Sequence, residues 1–107
     1  MLEILHYLTL EERDLYQEWL LSLADRQAKS RVMVRVERLR GGGLGDCKPL
    51  RAGVWELRID WGPGYRVYYA LANKHVVLLL LGGDKRRQSV DISRAVEYWK
   101  DWQRRQT

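Results

Sequence analysis

The sequence has a single cysteine, Cys47, only two histidines, and no aliphatic run longer than the six residues Val76–Leu81. One thiol excludes an internal disulfide and a Cys-cluster zinc site. Six aliphatic residues fall far short of the roughly 20 needed to span a bilayer as a helix. The opening MLEILHYLTLEER shows no basic leader, no long apolar stretch and no small-residue cleavage site, so a cytoplasmic protein is expected. No Walker A loop or Rossmann glycine fingerprint occurs. The run Gly41-Gly42-Gly43-Leu44-Gly45 follows a predicted helix rather than a strand, the wrong context for cradling phosphate. His6 and His75 each lack a second ligand at useful spacing, so no metal and no small-molecule cofactor is expected. Without repeats, low-complexity tracts or a linker, residues 1–107 read as one domain.

What is present is cationic and aromatic. Lys and Arg total 19 against 14 Asp and Glu, a net charge of +5 and a pI near 9.6. The balance is uneven: residues 1–25 hold six acids and one base, whereas residues 26–107 hold eighteen bases and eight acids, a net of +10. Most of the bases are arginine, which grips phosphate in a bidentate fashion and stacks on flat rings. With five Trp and six Tyr, this composition fits a nucleic-acid partner as well as it fits a plain basic surface.

Hydrophobic spacing predicts an α+β domain in the order β-α-α-β-β-β-α with an antiparallel-rich sheet. A short strand covers Glu3–Leu8. Thr9 with Glu12 three residues on is a capping-box signature for a helix over Leu10–Ala24. Asp25 caps a second helix, in which Ala28, Val32, Val36 and Leu39 form the apolar stripe and Gly41–Gly43 end it. In Val54–Trp61 the period becomes two: Trp55, Leu57, Ile59 and Trp61 alternate with Glu56, Arg58 and Asp60. Gly62-Pro63-Gly64 turns the chain into a strand over Tyr65–Leu71, and Asn73-Lys74 turns it again into Val76–Leu81, the expected centre of the sheet. A closing helix from Ser89 to Arg105 carries Ile92, Ala95, Val96, Trp99 and Trp102 as its stripe.

Pairing across the Gly62–Gly64 turn brings Arg58 and Arg66 to cross-strand or diagonal distance, with Tyr68 on the same face. Two facing arginines repel unless a bound phosphate, or Glu56 and Asp60, neutralises them. The plainer alternative is a solvated, salt-bridged sheet face. Cys47 has no histidine near it in sequence and reads as a loop thiol.

The segments Val54-Trp55-Glu56-Leu57-Arg58, Gly62-Pro63-Gly64-Tyr65-Arg66-Val67-Tyr68-Tyr69 and Gly82-Gly83-Asp84-Lys85-Arg86-Arg87-Gln88, with Asp91-Ile92 after them, resemble the RelE/HigB toxin superfamily, closest to its phage-derived addiction-module branch. The resemblance covers nearly the whole chain. It implies a RelE-like microbial-RNase domain, a ribosome-dependent mRNA endonuclease in which the ribose 2′-OH attacks the adjacent phosphate, and a cognate antitoxin partner. By the same resemblance, Arg66 is the main cation at the phosphate, and Arg58, Lys85 and Arg87 match other basic positions of the active face. Lys48, Arg51, Tyr68 and Arg86 would hold RNA.

A position that is basic in well-understood relatives falls on Glu56, and the late tyrosine of some relatives has no counterpart, Asp91 standing near its place. Glu56 and Asp91 are therefore expected in proton-transfer or orienting roles, or else as an arginine partner and a helix cap. The expected partners are the antitoxin, the ribosome and mRNA, with no membrane. The antitoxin is expected to lay an acidic segment over the same basic face. A domain that keeps the fold and binds RNA or antitoxin without cutting is the alternative; a DNA-binding regulator is weaker, since no recognition-helix pattern appears.

Overall fold

The computed structural model describes residues 1–43 and 45–106. Leu44, in the glycine-rich loop, lies outside them. The elements are β1 (Glu3–His6), α1 (Leu15–Ser22), α2 (Arg26–Arg40), β2 (Cys47–Pro49), β3 (Val54–Ile59), β4 (Tyr65–Asn73), β5 (Val76–Asp84), a 3-10 turn over Lys85–Arg87, and α3 (Gln88–Arg105). The five strands form one mixed sheet in the order β1-β5-β4-β3-β2, with β1 parallel to β5 and the other pairs antiparallel. This is a small single α+β domain, and its Cα radius of gyration of 12.8 Å matches the ~13 Å of a compact chain this long. No helix among the described residues is long and apolar enough to cross a membrane.

The sheet is buried from both sides. On one face α1 and α2 cover Leu57, Ile59, Val67, Tyr69, Val77 and Leu79 with Tyr16, Leu20, Val32, Val36 and Leu39. On the other, α3 lays Ala95, Val96 and Trp99 over Val54, Tyr68, Ala70, Leu78 and Leu80. The predicted stripes of α2 and α3 therefore both face the core. The unbroken apolar run of β5 follows from this double burial. A register shift between Tyr68 and Tyr69 sets both Leu80 and Leu81 into the α3-side core.

Four expectations differ from the structure. Thr9 does not start a helix: its Oγ1 accepts from the Arg13 backbone N–H at 3.1 Å, Glu12 adopts φ 63°, and Leu8 bridges Asp14. Asp14 caps α1 instead, accepting from the Gln17 N–H at 3.0 Å, so the helix is five residues shorter at its start. Cys47 lies in an additional edge strand, β2, rather than in a loop. The middle of the sheet is β4, with β5 one place off centre, because the additional strand β2 lengthens the opposite edge. Asp91 does not cap α3; it lies in the first turn, where Arg87 occupies the cap position without a side-chain bond. The caps at Asp25 and the glycine stop after α2 are as expected, with Gly42 in the left-handed region at φ 87°.

Candidate active site

α3 covers only part of its face of the sheet. Where it begins, the alternation that turned Val54 and Ala70 toward it brings up Glu56 and Arg58 from β3 and Arg66 and Tyr68 from β4. The register pairs Arg58 with Arg66 and Glu56 with Tyr68. The charges on this face are not a solvated surface. Glu56 is fully buried, and its carboxylate is engaged on three sides. Arg66 Nε lies 3.0 Å away in a close ion pair that is not an aligned hydrogen bond, Arg58 Nε lies 3.5 Å away, and Gln88 Nε2 donates at 2.5 Å.

Two arginines facing each other across a ladder are thus bridged from below by one carboxylate, which leaves the pair net positive. Arg66 donates from Nη1 to the Tyr65 carbonyl at 3.0 Å, which fixes its plane. Arg58, the more open of the two, also reaches to within 3.9 Å of Asp46. Asp60, expected to share the neutralisation, lies beyond the end of β3 and lines a groove beside α2. Lys85 is brought in by its backbone N–H, which donates to the Gly64 carbonyl at 2.8 Å. A Cβ on Gly64 would lie within 3.6 Å of the Lys85 side chain and 3.4 Å of Arg66 Nη1, so Lys85 and Arg66 flank one point.

Beyond the 3-10 turn, a cleft of about 460 Å³ opens between α1, the end of β5 and the start of α3. Asp91 lines it although it is only 2 % exposed, and its Oδ1 lies 3.6 Å from Arg94 and 3.9 Å from Arg87. Burial pushes the Asp91 carboxyl above the usual carboxylate range, opposed by Arg87 and Arg94 and aided by Asp84. Its Oδ2 would be 2.1 Å from a Cβ on residue 83, which is why the strand carries glycine there. Tyr68 is wholly buried and its hydroxyl has no hydrogen-bond partner among the described residues; burial raises its pKa, with further push from Glu56 and Asp91. The ring is therefore part of the core rather than an exposed surface for stacking.

Of the residues singled out in the sequence, Glu56, Arg58, Arg66 and Lys85 come together. Arg87 and Asp91 form a neighbouring pair. Lys48 lies on edge strand β2 opposite Glu56 in register and is exposed. Arg51 bonds Ser93 Oγ on α3 at 3.1 Å, and Arg86, highly exposed, pairs with Asp84 at 3.1 Å. His6 bonds Asp14 at 2.6 Å, away from the cluster. Sequence reasoning missed Asp46 and Gln88 as members. Gln88 stood within the motif that carried the resemblance, but its reach back to Glu56 across 32 residues has no local signal.

Residues 18–96 match the family described as Phage derived protein Gp49-like (DUF891), which spans α2, β3–β5 and every residue of both acidic–basic groups. The chain belongs to that family. It is a family of toxin–antitoxin-related proteins. The Gp49-like chain is also 45% identical over 80 residues to an uncharacterized protein of Haemophilus influenzae, covering 75% of this chain and 81% of that protein.

Proposed function

We propose that this Gp49-like protein is the toxin of a type II toxin–antitoxin pair, an endoribonuclease of RelE/HigB type that cuts mRNA on the ribosome. The observation that carries the reading is the convergence of Arg58, Arg66 and Lys85 at the uncovered end of the α3 face, with the arginines held from beneath by buried Glu56. RNA cleavage by the 2′-OH forms a bond from that oxygen to phosphorus and breaks the bond to the 5′ oxygen. The products are a 2′,3′-cyclic phosphate and a free 5′-OH. The extra negative charge of the phosphorane is stabilised by preorganised cations that need not move as the charge develops.

Arg66 serves as the principal cation, with Lys85 beside it and Arg58 at the open rim. Glu56 acts as the positioning carboxylate: with three partners and no exposure, it orients the arginines rather than exchanging protons with substrate. Asp91 and Arg87 are the remaining acid–cation pair, and Asp91, whose carboxyl is raised by burial, is the residue offered for proton transfer. Lys48, Arg51 and Arg86 form an outer basic rim for the RNA strand. A binding-only domain is the second reading, favoured by the full engagement of the one carboxylate in the arginine cluster.

The test is a reconstituted translation reaction in which new mRNA 5′ ends are mapped, with a ribosome-free control. Cuts only on translated message, reduced about 100-fold or more in Arg66→Ala, are expected. Cuts without ribosomes would replace the ribosome-dependent reading with a free ribonuclease. Folded protein that cuts in neither tube would establish the binding-only reading.

A further inference from the structure

The opposite face of the molecule carries a second basic site. On α2, Arg31, Arg35 and Arg38 recur at spacings of four and three residues, which places them along one side of the helix. They line an open groove of about 590 Å³ between α2 and the end of β3, together with Val34, Ile59 and a single carboxylate, Asp60. Three guanidinium groups on one helix side repel one another, and none of the three forms a direct ion pair among the described residues. Their arrangement is nonetheless rigid at two points. Arg35 Nη1 donates to the Arg58 carbonyl at 2.7 Å, its buried Nη2 has no hydrogen-bond partner among the described residues, and a Cβ on Gly45 would lie 2.8 Å from that nitrogen. Arg31 lies over the Trp61 ring at 3.8 Å from its centroid, while Trp61 Nε1 donates to Asp25 at 3.0 Å.

The lining decides between ligand classes. A single-stranded nucleic acid needs aromatic faces for its bases as well as cations for its phosphates. Here the nearby aromatic ring, Trp61, is covered by Arg31, and the lining residues are aliphatic, cationic or, at Gln27, Ser30 and Asp60, polar, with no ring among them. Val34 is 49 % exposed, apolar surface set beside positive charge that Asp60 and Asp25 offset only in part. We infer that the α2 groove docks an acidic, amphipathic protein segment, its carboxylates on the exposed Arg31 and Arg38 and an apolar side chain on Val34. Because the groove lies across the sheet from Arg66 and Lys85, this segment and a ligand of the α3 face can be bound together. A hydrogen bond links the two sites: Arg35 Nη1 donates to the Arg58 carbonyl. If the toxin reading is right, an antitoxin is the protein to carry such a segment, but the chemistry of the groove does not depend on that reading.

The experiment uses the whole ¹⁵N-labelled chain and a synthetic helix-forming peptide with leucines along one face and glutamates beside them. Amide shifts are expected along α2 and at Ile59 and Asp60, with those of Arg66 and Lys85 unmoved. The double variant Arg31→Glu/Arg38→Glu, both sites exposed, should keep its dispersed spectrum and weaken binding at least about tenfold, about 1.4 kcal/mol or more. Lys100→Glu, an exposed charge reversal on α3, should not weaken it. A scrambled peptide of equal charge that binds equally well would overturn the inference, as would shifts centred on Arg66. An RNA oligonucleotide that shifts the α2 resonances and displaces the peptide would reassign the groove to nucleic acid. Loss of mRNA cutting leaves all these outcomes untouched.

Discussion

The two faces of the central sheet differ in how completely they are covered, and the chemistry follows the coverage. Two helices roof one face, and there β3 and β4 present Leu57, Ile59, Val67 and Tyr69, buried along their length. One helix roofs the other, and from its first turn outward the same strands present Glu56, Arg58 and Arg66. A polar cluster can be buried beneath a partial roof when its members satisfy one another, and the uncovered end remains open to a ligand. The function proposed for the protein sits where the roof stops.

That contrast is broken most severely at Glu56. Glu56→Ala leaves Arg58 and Arg66 facing each other without their shared carboxylate, an unpaired buried charge costing about 3–5 kcal/mol. Leu57→Ala, one residue along on the fully roofed face, is expected to cost about 2–5 kcal/mol through its cavity. Urea denaturation of the two variants compares them directly. A neutral Glu56→Ala would mean that the arginines do not depend on the carboxylate.

Adjacent glycines give a sharper comparison. A Cβ on Gly82 would lie 2.1 Å from the Trp19 ring on the α1 side, and one on Gly83 would lie 2.1 Å from the Asp91 carboxylate on the α3 side. Gly82→Ala and Gly83→Ala should each cost about 1–3 kcal/mol by overpacking. Adding Asp91→Ala should recover most of the Gly83→Ala loss and none of the Gly82→Ala loss, which a double-mutant cycle reads as coupling at one site only.

The smallest effect is a pH dependence. Burial raises the Asp91 carboxyl in the folded protein, so the native state holds that proton more tightly than the unfolded chain does. Its stabilising contribution is present below the unfolded carboxyl value of about 3.9 and is lost as pH rises through the higher folded value. Asp91→Asn should therefore be more stable than the natural protein near neutral pH, the gap closing as pH falls into the ordinary carboxyl range. Thermal unfolding of the pair across that range is the measurement. A natural protein more stable than Asp91→Asn at neutral pH would show that Arg87 and Arg94 outweigh the burial.

Periodicity alone was enough for the apolar stripes of α2 and α3, the two-residue alternation of β3 and β4, and the pairing of Arg58 with Arg66 around the Gly62–Gly64 turn. These are local consequences of side-chain direction in helices and strands. Alternation says which residues share a face and nothing about what lies over it. Whether Glu56 meets water or a closed cluster was decided by Gln88 and the start of α3, more than thirty residues away. The choice of Asp46 over Asp60 beside Arg58, the burial of Tyr68, and the separation of one basic composition into an α3-face site and an α2 groove were likewise settled by packing. Composition counts charges, but only the sheet lying between the helices determines on which side each charge ends up.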